Sequence, residues 1–450
     1  MRSNNRNPIL AAQRFASAVL LALVTPAALV SAQSTTDTSP NATPYELMRR
    51  KEGEPVWAPL LRLRAAASRF ERDTVYSDAW RQVMAQAEGN FGNYERALRT
   101  WDLSARRGNS DTAAATVATR QAFRSARRVS ALDTIVAIAD TARVVMINER
   151  HHAASDRLLT LELLPALWAK GFRYFAAEAF DAAALDPAGS LAARGYALDD
   201  DGYTSEPVFA EIVREAKRLG YTLVPYEAYG SQYDQPDSLT AQQRRDYWQA
   251  ANLAAATVAR DSTAKVLVHV GFAHLRERVV RGWSPMAAYF TARTGINPVT
   301  VDQTTLTERS TPLVGHPVQM AMRGALPSKN TVFVGNATGS VASAAAIEAA
   351  SIGVDLTVAR APVSLVDGRP AYLTMGGRRR AERVAVPECA ARHCVITAHL
   401  AHEPDSATVL DRTEAERVGQ VTLFLPNAPV RITVYSATGV RLRSWVRNAR

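Results

Sequence analysis

The sequence has few cysteines, few aromatic residues and no recognisable serine-nucleophile motif. Only two of its 450 residues are cysteines, Cys389 and Cys394, and aromatic residues make up 7% of the chain. Because both cysteines come late, a cysteine nucleophile in the core of the chain is excluded. No Gly-x-Ser-x-Gly stretch occurs, so a serine acyl-enzyme is not indicated.

The two cysteines lie close together in the last part of the chain. In an exported protein, this spacing favours a local disulfide that closes a small loop. Zinc binding by the pair together with His393, His399 or His402 is the alternative, but the spacing matches no standard zinc module. We therefore expect a disulfide that tightens the tail.

A run of apolar residues long enough to span a bilayer is missing after residue 32. Residues 1–32 have a basic start, an apolar stretch and the small residues Val30-Ser-Ala32, as in a cleaved secretory signal peptide. They hold three arginines and no acid, so their removal lowers the formal net charge from +10 to 10 − 3 = +7. The remaining basic residues are scattered, which favours a solvated surface over nucleic-acid binding. We expect a periplasmic or secreted protein with no transmembrane segment in the mature chain.

Four further regions follow along the chain. Residues 33–44 are rich in Ser, Thr and Pro, which is typical of a flexible leader. Residues 45–130 have a helical pattern with one hairpin similar to a tetratricopeptide repeat. In residues 131–385 strand-like and helical stretches alternate, which predicts an α/β fold with a layered, mostly parallel sheet flanked by helices. Residues 386–450 are typical of a small β module.

Within the α/β region, we assign the first strands to Thr134–Ile138 and Val144–Ile147. The stretch Asp181–Tyr203 is expected to be a loop or lid, and Ser340–Ser351 is expected to be a helix.

Potentially reactive residues follow four of the predicted strands. Glu149, His151 and His152 come after the first buried strand, Glu178 ends the second, Tyr226-Glu227 ends the third, and His274 follows a late strand through Gly271. In an open parallel sheet, ligands bind beyond the carboxyl ends of the strands. We therefore expect Glu149, His152, Glu178 and His274 to form one catalytic site, with His151, Tyr226 and Glu227 in secondary roles. His269 lies inside an apolar strand and is expected to be a hydrogen-bonded core residue.

The stretches Asn148-Glu-Arg-His-His152, Glu178, Tyr226-Glu227 and Val268-His-Val-Gly-Phe-Ala-His274 resemble the erythromycin-esterase-like, ChaN-like and Tiki-like superfamily. The resemblance covers roughly Ile135 to Asp302. It matches Glu149 and His152 to the Gly-Glu-x-x-His loop, Glu178 to the acid of the second strand, and Gly271 with His274 to the last motif. Asn148 stands where the superfamily usually has glycine, and His151 is an additional imidazole.

The resemblance implies an exported hydrolase that activates water for attack on an ester or amide of a small-molecule or peptide substrate. His152 is then the general base, oriented by Glu149 or Glu178, while His274 polarises or protonates the substrate. The same residues suit a Zn²⁺ or Mn²⁺ site, with His152, Glu178 and His274 as ligands. A non-catalytic binder of haem or metal, using His151, His152 or Tyr226, is the alternative. A scaffold that has lost activity, marked by Asn148, is a third possibility.

Overall fold

The computed structural model describes residues 41–105, 127–180, 191–236, 238–279, 282–311, 329–334 and 353–449. The predicted signal peptide, most of the leader, the helix predicted at 340–351 and part of the predicted lid lie outside these residues. Among the described helices, none is long and apolar enough to cross a membrane.

The described chain forms helices and strands in three groups. The helices are α1 Pro44–Met48, α2 Ala58–Ala65, α3 Ala67–Phe70, α4 Ser77–Asn90, α5 Tyr94–Ala105, α6 Ala131–Ile138, α7 Arg157–Ala169, α8 Leu191–Arg194, α9 Pro207–Leu219, α10 Ala241–Ala256 and α11 Met286–Thr294. The strands are β1 Arg127–Ser130, β2 Val144–Glu149, β3 Tyr174–Ala177, β4 Thr222–Pro225, β5 Val266–Gly271, β6 Val299–Asp302, β7 Thr331–Val334, β8 Leu356–Thr357, β9 Leu365–Val366, β10 Arg369–Pro370, β11 Arg380–Ala385, β12 His393–Leu400, β13 Asp411–Glu416, β14 Gln420–Leu425, β15 Val430–Ser436 and β16 Arg441–Arg447.

The main sheet has six parallel strands in the order β4-β3-β5-β2-β6-β8. Every residue of the central strands β2 and β5 is buried. Their valines, leucine and isoleucine suit a strand that is covered on both faces. The predicted layered, mostly parallel α/β fold is therefore confirmed, and the small C-terminal β module is confirmed with it.

Two apolar cores cover the two faces of this sheet. Val145 and Ile147 belong to one core, whereas Val144 and Met146 belong to the other, because successive side chains of a strand point to opposite faces. Helices α7 and α9 supply much of the first core, and α10 and α11 supply much of the second. The layers hold the carboxyl edge of the sheet rigidly between helices.

The strand predicted at Thr134–Ile138 is wrong, because these residues belong to helix α6. The hydroxyl of Ser130 caps this helix by accepting a hydrogen bond from the backbone N–H of Asp133. Ala131 and Ile135, one helical turn apart, are fully buried. The cap and this spacing outweigh the strand preference of the branched residues. The predicted edge strand Ala371–Met375 is also wrong, since Ala371–Thr374 forms a 3₁₀ turn.

The C-terminal strands form an antiparallel module that the N-terminal helices contact. Strand β11 pairs with β14, and four strands pair in the order β13-β12-β15-β16. Cys389 and Cys394 form the predicted disulfide in this module. Trp57 packs on Tyr435 and donates a hydrogen bond from its indole N–H to the backbone oxygen of Ala437. The predicted helical hairpin is α4 and α5, next to these contacts.

Candidate active site

A cavity of about 240 Å³ opens at the carboxyl edge of the main sheet. Glu149, Glu178 and Glu227 reach it from the ends of β2, β3 and β4, as parallel strands require. The residues that line it are Glu149, His151, Glu178, Ala179, Tyr203, Phe209, Glu227, Arg245, His269, Val270 and Gly271. The structure thus brings together three of the predicted acids and one imidazole of the His151-His152 pair.

Glu149 is a buried carboxylate whose oxygens are fully engaged. Arg157 donates from Nε to Oε2 at 2.6 Å, and the Tyr203 hydroxyl donates to Oε1 at 2.7 Å. Burial acts to raise the pKa of Glu149, but the Arg157 charge and the hydrogen bonds from His151 and His269 hold it well below its usual range. Glu149 is therefore a permanent anion that orients its neighbours.

Arg157 links Glu149 to a second buried carboxylate. Its Nη1 donates to Oε2 of Glu206 at 2.7 Å. Glu206 also caps helix α9, accepting hydrogen bonds from the backbone N–H groups of Val208 and Phe209. This chain of charges fixes α9 beside β2, so that the position of Glu149 depends on the packing of both elements.

His151 is the imidazole that faces the cavity. Its Nδ1 lies 3.1 Å from Oε1 of Glu149, and one third of its side chain (33%) is exposed. Tyr203 and Phe272 contact the ring edge-on, at centroid distances of 5.1 and 5.0 Å. These contacts hold the ring in one orientation.

Gly271 allows His151 and Glu178 to approach each other. A Cβ atom at position 271 would lie 2.6 Å from Cε1 of His151 and 2.9 Å from Oε2 of Glu178. The backbone N–H of Gly271 donates to that same oxygen of Glu178 at 2.6 Å. The absence of a side chain at this strand end is therefore required for the close packing of the acid and the imidazole.

His152, the predicted general base, points away from the cavity. It is 2% exposed, its ring stacks on Trp101 at 4.1 Å, and neither ring nitrogen has a hydrogen-bond partner in the described part of the chain. Burial, followed by the charges of Arg150 and Arg309, lowers the pKa of His152 well below its usual range. The geometry therefore places the additional imidazole of the motif, His151, where the resemblance expects His152.

Arg245 is a central residue of the site that the sequence did not indicate. It extends from α10, and its Nε lies 3.0 Å from Oε1 of Glu227, while Nη2 donates to Glu178. Its Nη1 lies 3.2 Å from Nε2 of His274. The sequence search followed strand ends, and Arg245 lies within a helix, where the Arg-Arg-Asp run resembles any solvated face. Its guanidinium brings a cation to the cavity wall.

His274 lies behind Arg245 and outside the lining of the cavity. Its Nδ1 is 2.5 Å from Oδ1 of Asp246, which also accepts hydrogen bonds from the Trp283 indole and the Met286 backbone. Burial lowers the pKa of His274, but Asp246 and Glu178 outweigh it and raise the pKa above its usual range. His274 is therefore placed to hold Arg245 in position.

The remaining predicted residues have structural contacts. Tyr226 is buried and donates its hydroxyl to the backbone oxygen of His269. His269 is 2% exposed, with Nδ1 2.9 Å from the Thr160 hydroxyl, and it also lines the cavity. Its Nε2 is 3.1 Å from Oε2 of Glu149 but off the axis of a well-aligned hydrogen bond. His269 thus forms the floor of the site.

Asn148, where the superfamily usually has glycine, does not fill the cavity. Its side-chain amide donates to the backbone oxygen of Phe272 and to Asp302, both at 2.7 Å. Its side-chain oxygen accepts the backbone N–H of Gln303 at 2.8 Å. The departure therefore ties β2 to the ends of β5 and β6 and leaves the Glu149 pocket open.

The residues do not fit a divalent metal at this edge. Both oxygens of Glu178 contact Arg245 or Gly271, and both nitrogens of His274 contact Asp246 or Arg245, so a guanidinium stands at the point where these groups converge. The arrangement does not fit haem either, since neither Tyr226 nor His152 lines the cavity.

A different group has the spacing of metal ligands among the described residues. It consists of His393, Glu414 and Glu416 in the C-terminal module. Arg64 and Asn93 already donate hydrogen bonds to both oxygens of Glu414. The carboxylate is thus saturated by protein donors.

No known protein family matches the sequence, and no curated protein matches it significantly. Two solved structures are similar in part. A structure of the type III effector HopBA1 matches with a TM-score of 0.28 and 15% identity, over 40% of this chain and 85% of that chain. A structure described as bacterial protein toxins matches with a TM-score of 0.31 and 17% identity, over 58% of this chain and 57% of that chain.

Proposed function

We propose that the protein is a hydrolase in which His151, held by Glu149, activates water for attack on an ester or amide. The observation that carries the proposal is the contact between a permanently ionised, buried carboxylate and a partly exposed imidazole at a cavity wall. A carboxylate at Nδ1 keeps the proton on that nitrogen and leaves Nε2 free to accept one.

The chemistry follows from the charges around His151. Its Nε2 takes a proton from water while the hydroxide oxygen bonds to the carbonyl carbon of the substrate. The resulting imidazolium lies between two carboxylates, Glu149 and Glu178, which stabilise its charge. The imidazolium then returns the proton to the leaving alkoxide or amine as the bond to the carbonyl carbon breaks.

Arg245 is the cation that faces the developing oxyanion. It lines the cavity, and its own burial is supported by Glu178 and Glu227, so its guanidinium does not reorient during the reaction. His274 acts through Arg245 in this scheme, as a positioning residue. Tyr203 holds Glu149 through its hydroxyl.

The proposal is tested by assaying the purified protein on p-nitrophenyl esters, lactones and p-nitroanilides, with and without a chelator. We expect turnover that resists chelation, and loss of about 10²–10³-fold in rate in Arg245→Gln. Arg244→Gln is the matched control, because Arg244 is the neighbouring helix residue and bonds only backbone oxygens of Tyr233 and Leu239. A panel with no turnover, or full activity in Arg245→Gln, contradicts the proposal.

A further inference from the structure

A second and larger cavity, of about 620 Å³, lies on the far side of Tyr203 from the candidate active site. Tyr203 lines both cavities, and the segment from Gly202 to Ser205 separates them. The volume is in the range of about 300–1,000 Å³ that is usual for small-molecule sites. None of the residues proposed for hydrolysis other than Tyr203 lines it.

The deepest charged group of this cavity is a buried arginine without an ion-pair partner. Arg412 is 2% exposed, and no carboxylate in the described part of the chain lies within ion-pair distance of it. It donates to the backbone oxygens of Asn90 and Ser205 and stacks over Phe91. A buried guanidinium that bonds only neutral oxygens retains an unsatisfied charge.

The carboxylates near Arg412 are committed elsewhere. Asp411 pairs with Arg369, and Glu206 pairs with Arg157 and caps α9. Asp199 lines the cavity, with a buried Oδ1 that has no hydrogen-bond partner among the described residues. Burial raises the pKa of Asp199 to about 6, so this carboxyl is only a partial counter-charge.

The rim of the cavity is basic, and its wall is partly apolar. Arg49, Arg50 and Lys51 stand at the opening, and none of them has an ion-pair partner among the described residues. Pro59 and Leu60, both buried, contribute apolar wall together with Phe91. A ligand that fits has an anionic end and an apolar body.

We propose that this cavity binds a small organic anion whose carboxylate or phosphate contacts Arg412 and Arg50 and whose apolar part contacts Leu60 and Phe91. The guanidinium groups supply charge-assisted hydrogen bonds to the anion. The site does not depend on the hydrolysis proposed above.

Three probes with one ring and different charge test the site: phenyl phosphate, benzyl alcohol and benzylammonium, with binding to the full chain followed by saturation-transfer NMR and calorimetry. We expect phenyl phosphate to bind and the other two to bind at least tenfold more weakly. Arg50→Gln should weaken phenyl phosphate binding about tenfold, as expected for loss of one charged contact. Asp199→Asn should tighten it, because the variant removes the competing carboxylate; a misfolded protein does not gain affinity.

Two controls separate this cavity from other positive surfaces. Arg96→Gln alters a half-exposed arginine at a different cavity, and His151→Asn alters the candidate active site. Both should bind phenyl phosphate as the unmodified protein does. Absence of phenyl phosphate binding, equal binding of benzyl alcohol, unchanged affinity in Arg50→Gln, or weaker binding in Asp199→Asn overturns the proposal and leaves Arg412 a structural residue only.

Discussion

The Nδ1 atom of His151 lies 3.1 Å from Oε1 of Glu149, a carboxylate that Arg157 also holds from the opposite side. The carboxylate is buried and ionised, whereas the imidazole is partly exposed at a cavity wall. The pair therefore combines a fixed negative charge with a group that can exchange a proton with a bound water. This contact is the basis of the proposed hydrolysis.

Replacement of Arg157 by Met should destabilise the protein strongly. The variant leaves Glu149 and Glu206 buried without their shared cation, which typically costs roughly 3–5 kcal/mol. Urea unfolding followed by circular dichroism measures the change. Arg218→Met is the control, since Arg218 bonds Glu215 with a side chain that is 65% exposed, and it should change stability by less than about 0.5 kcal/mol. Equal losses in the two variants contradict the account of the buried charges.

Replacement of His152 by Phe should preserve both fold and turnover. The ring stack on Trp101 is kept, and no hydrogen bond within the described part of the chain is lost. The pKa of His152 is lowered in the native state, so the unfolded chain takes up a proton first as the pH falls below about 6.5, and stability declines. The decline should be shallower in His152→Phe than in the unmodified protein. Urea midpoints at several values between pH 7 and 5 measure this, and parallel curves argue against a neutral buried His152.

Replacement of Gly271 by Ala should impair turnover more than folding. The added methyl group meets the His151 ring and Glu178 carboxylate and displaces both, which is expected to cost about 10²-fold in rate. The overpacking should cost roughly 1–3 kcal/mol of stability. Gly419→Ala is the control, because an added Cβ there meets only Ala390 at 4.0 Å. Kinetics well below the unfolding temperature test it, and unchanged activity in Gly271→Ala contradicts the geometry of the site.

Replacement of Asp246 by Asn should lower the pKa of His274. Asp246 raises that pKa in the native protein against the effect of burial. A raised pKa favours folding at low pH and the benefit is lost as the pH rises through the native value, so the variant should lose this benefit at a lower pH. NMR titration of the His274 Cε1–H resonance measures the shift. Its control is the His393 resonance, in the separate C-terminal module, which should titrate unchanged. An unmoved His274 titration contradicts the assigned role of Asp246.

Much of the fold was predictable because its signals are local. The apolar, branched strands β2 and β5 and the polar residues that follow them have the pattern of a buried parallel sheet, and the structure has this sheet. The error at Thr134–Ile138 arose where a helix cap at Ser130 decided between two structures that branched residues permit. Short apolar runs do not distinguish a strand from a buried helix.

The site was predictable only in part because side-chain direction is not a local property. The sequence indicates that Glu149, Glu178 and Glu227 meet at one sheet edge, which follows from strand ends alone. It does not indicate which of two adjacent histidines turns toward the cavity, since that depends on the stack with Trp101 and on the space over Gly271. Arg245 was missed because it reaches the site from a helix distant in sequence.

The central claim, that His151 and not His152 is the general base, is tested most directly by comparing turnover in His151→Asn and His152→Phe on the same substrate. The account predicts a loss of about 10²–10⁴-fold in kcat for His151→Asn, with folding unchanged, and near-normal kcat for His152→Phe. Full activity in His151→Asn, or an inactive but folded His152→Phe, contradicts it.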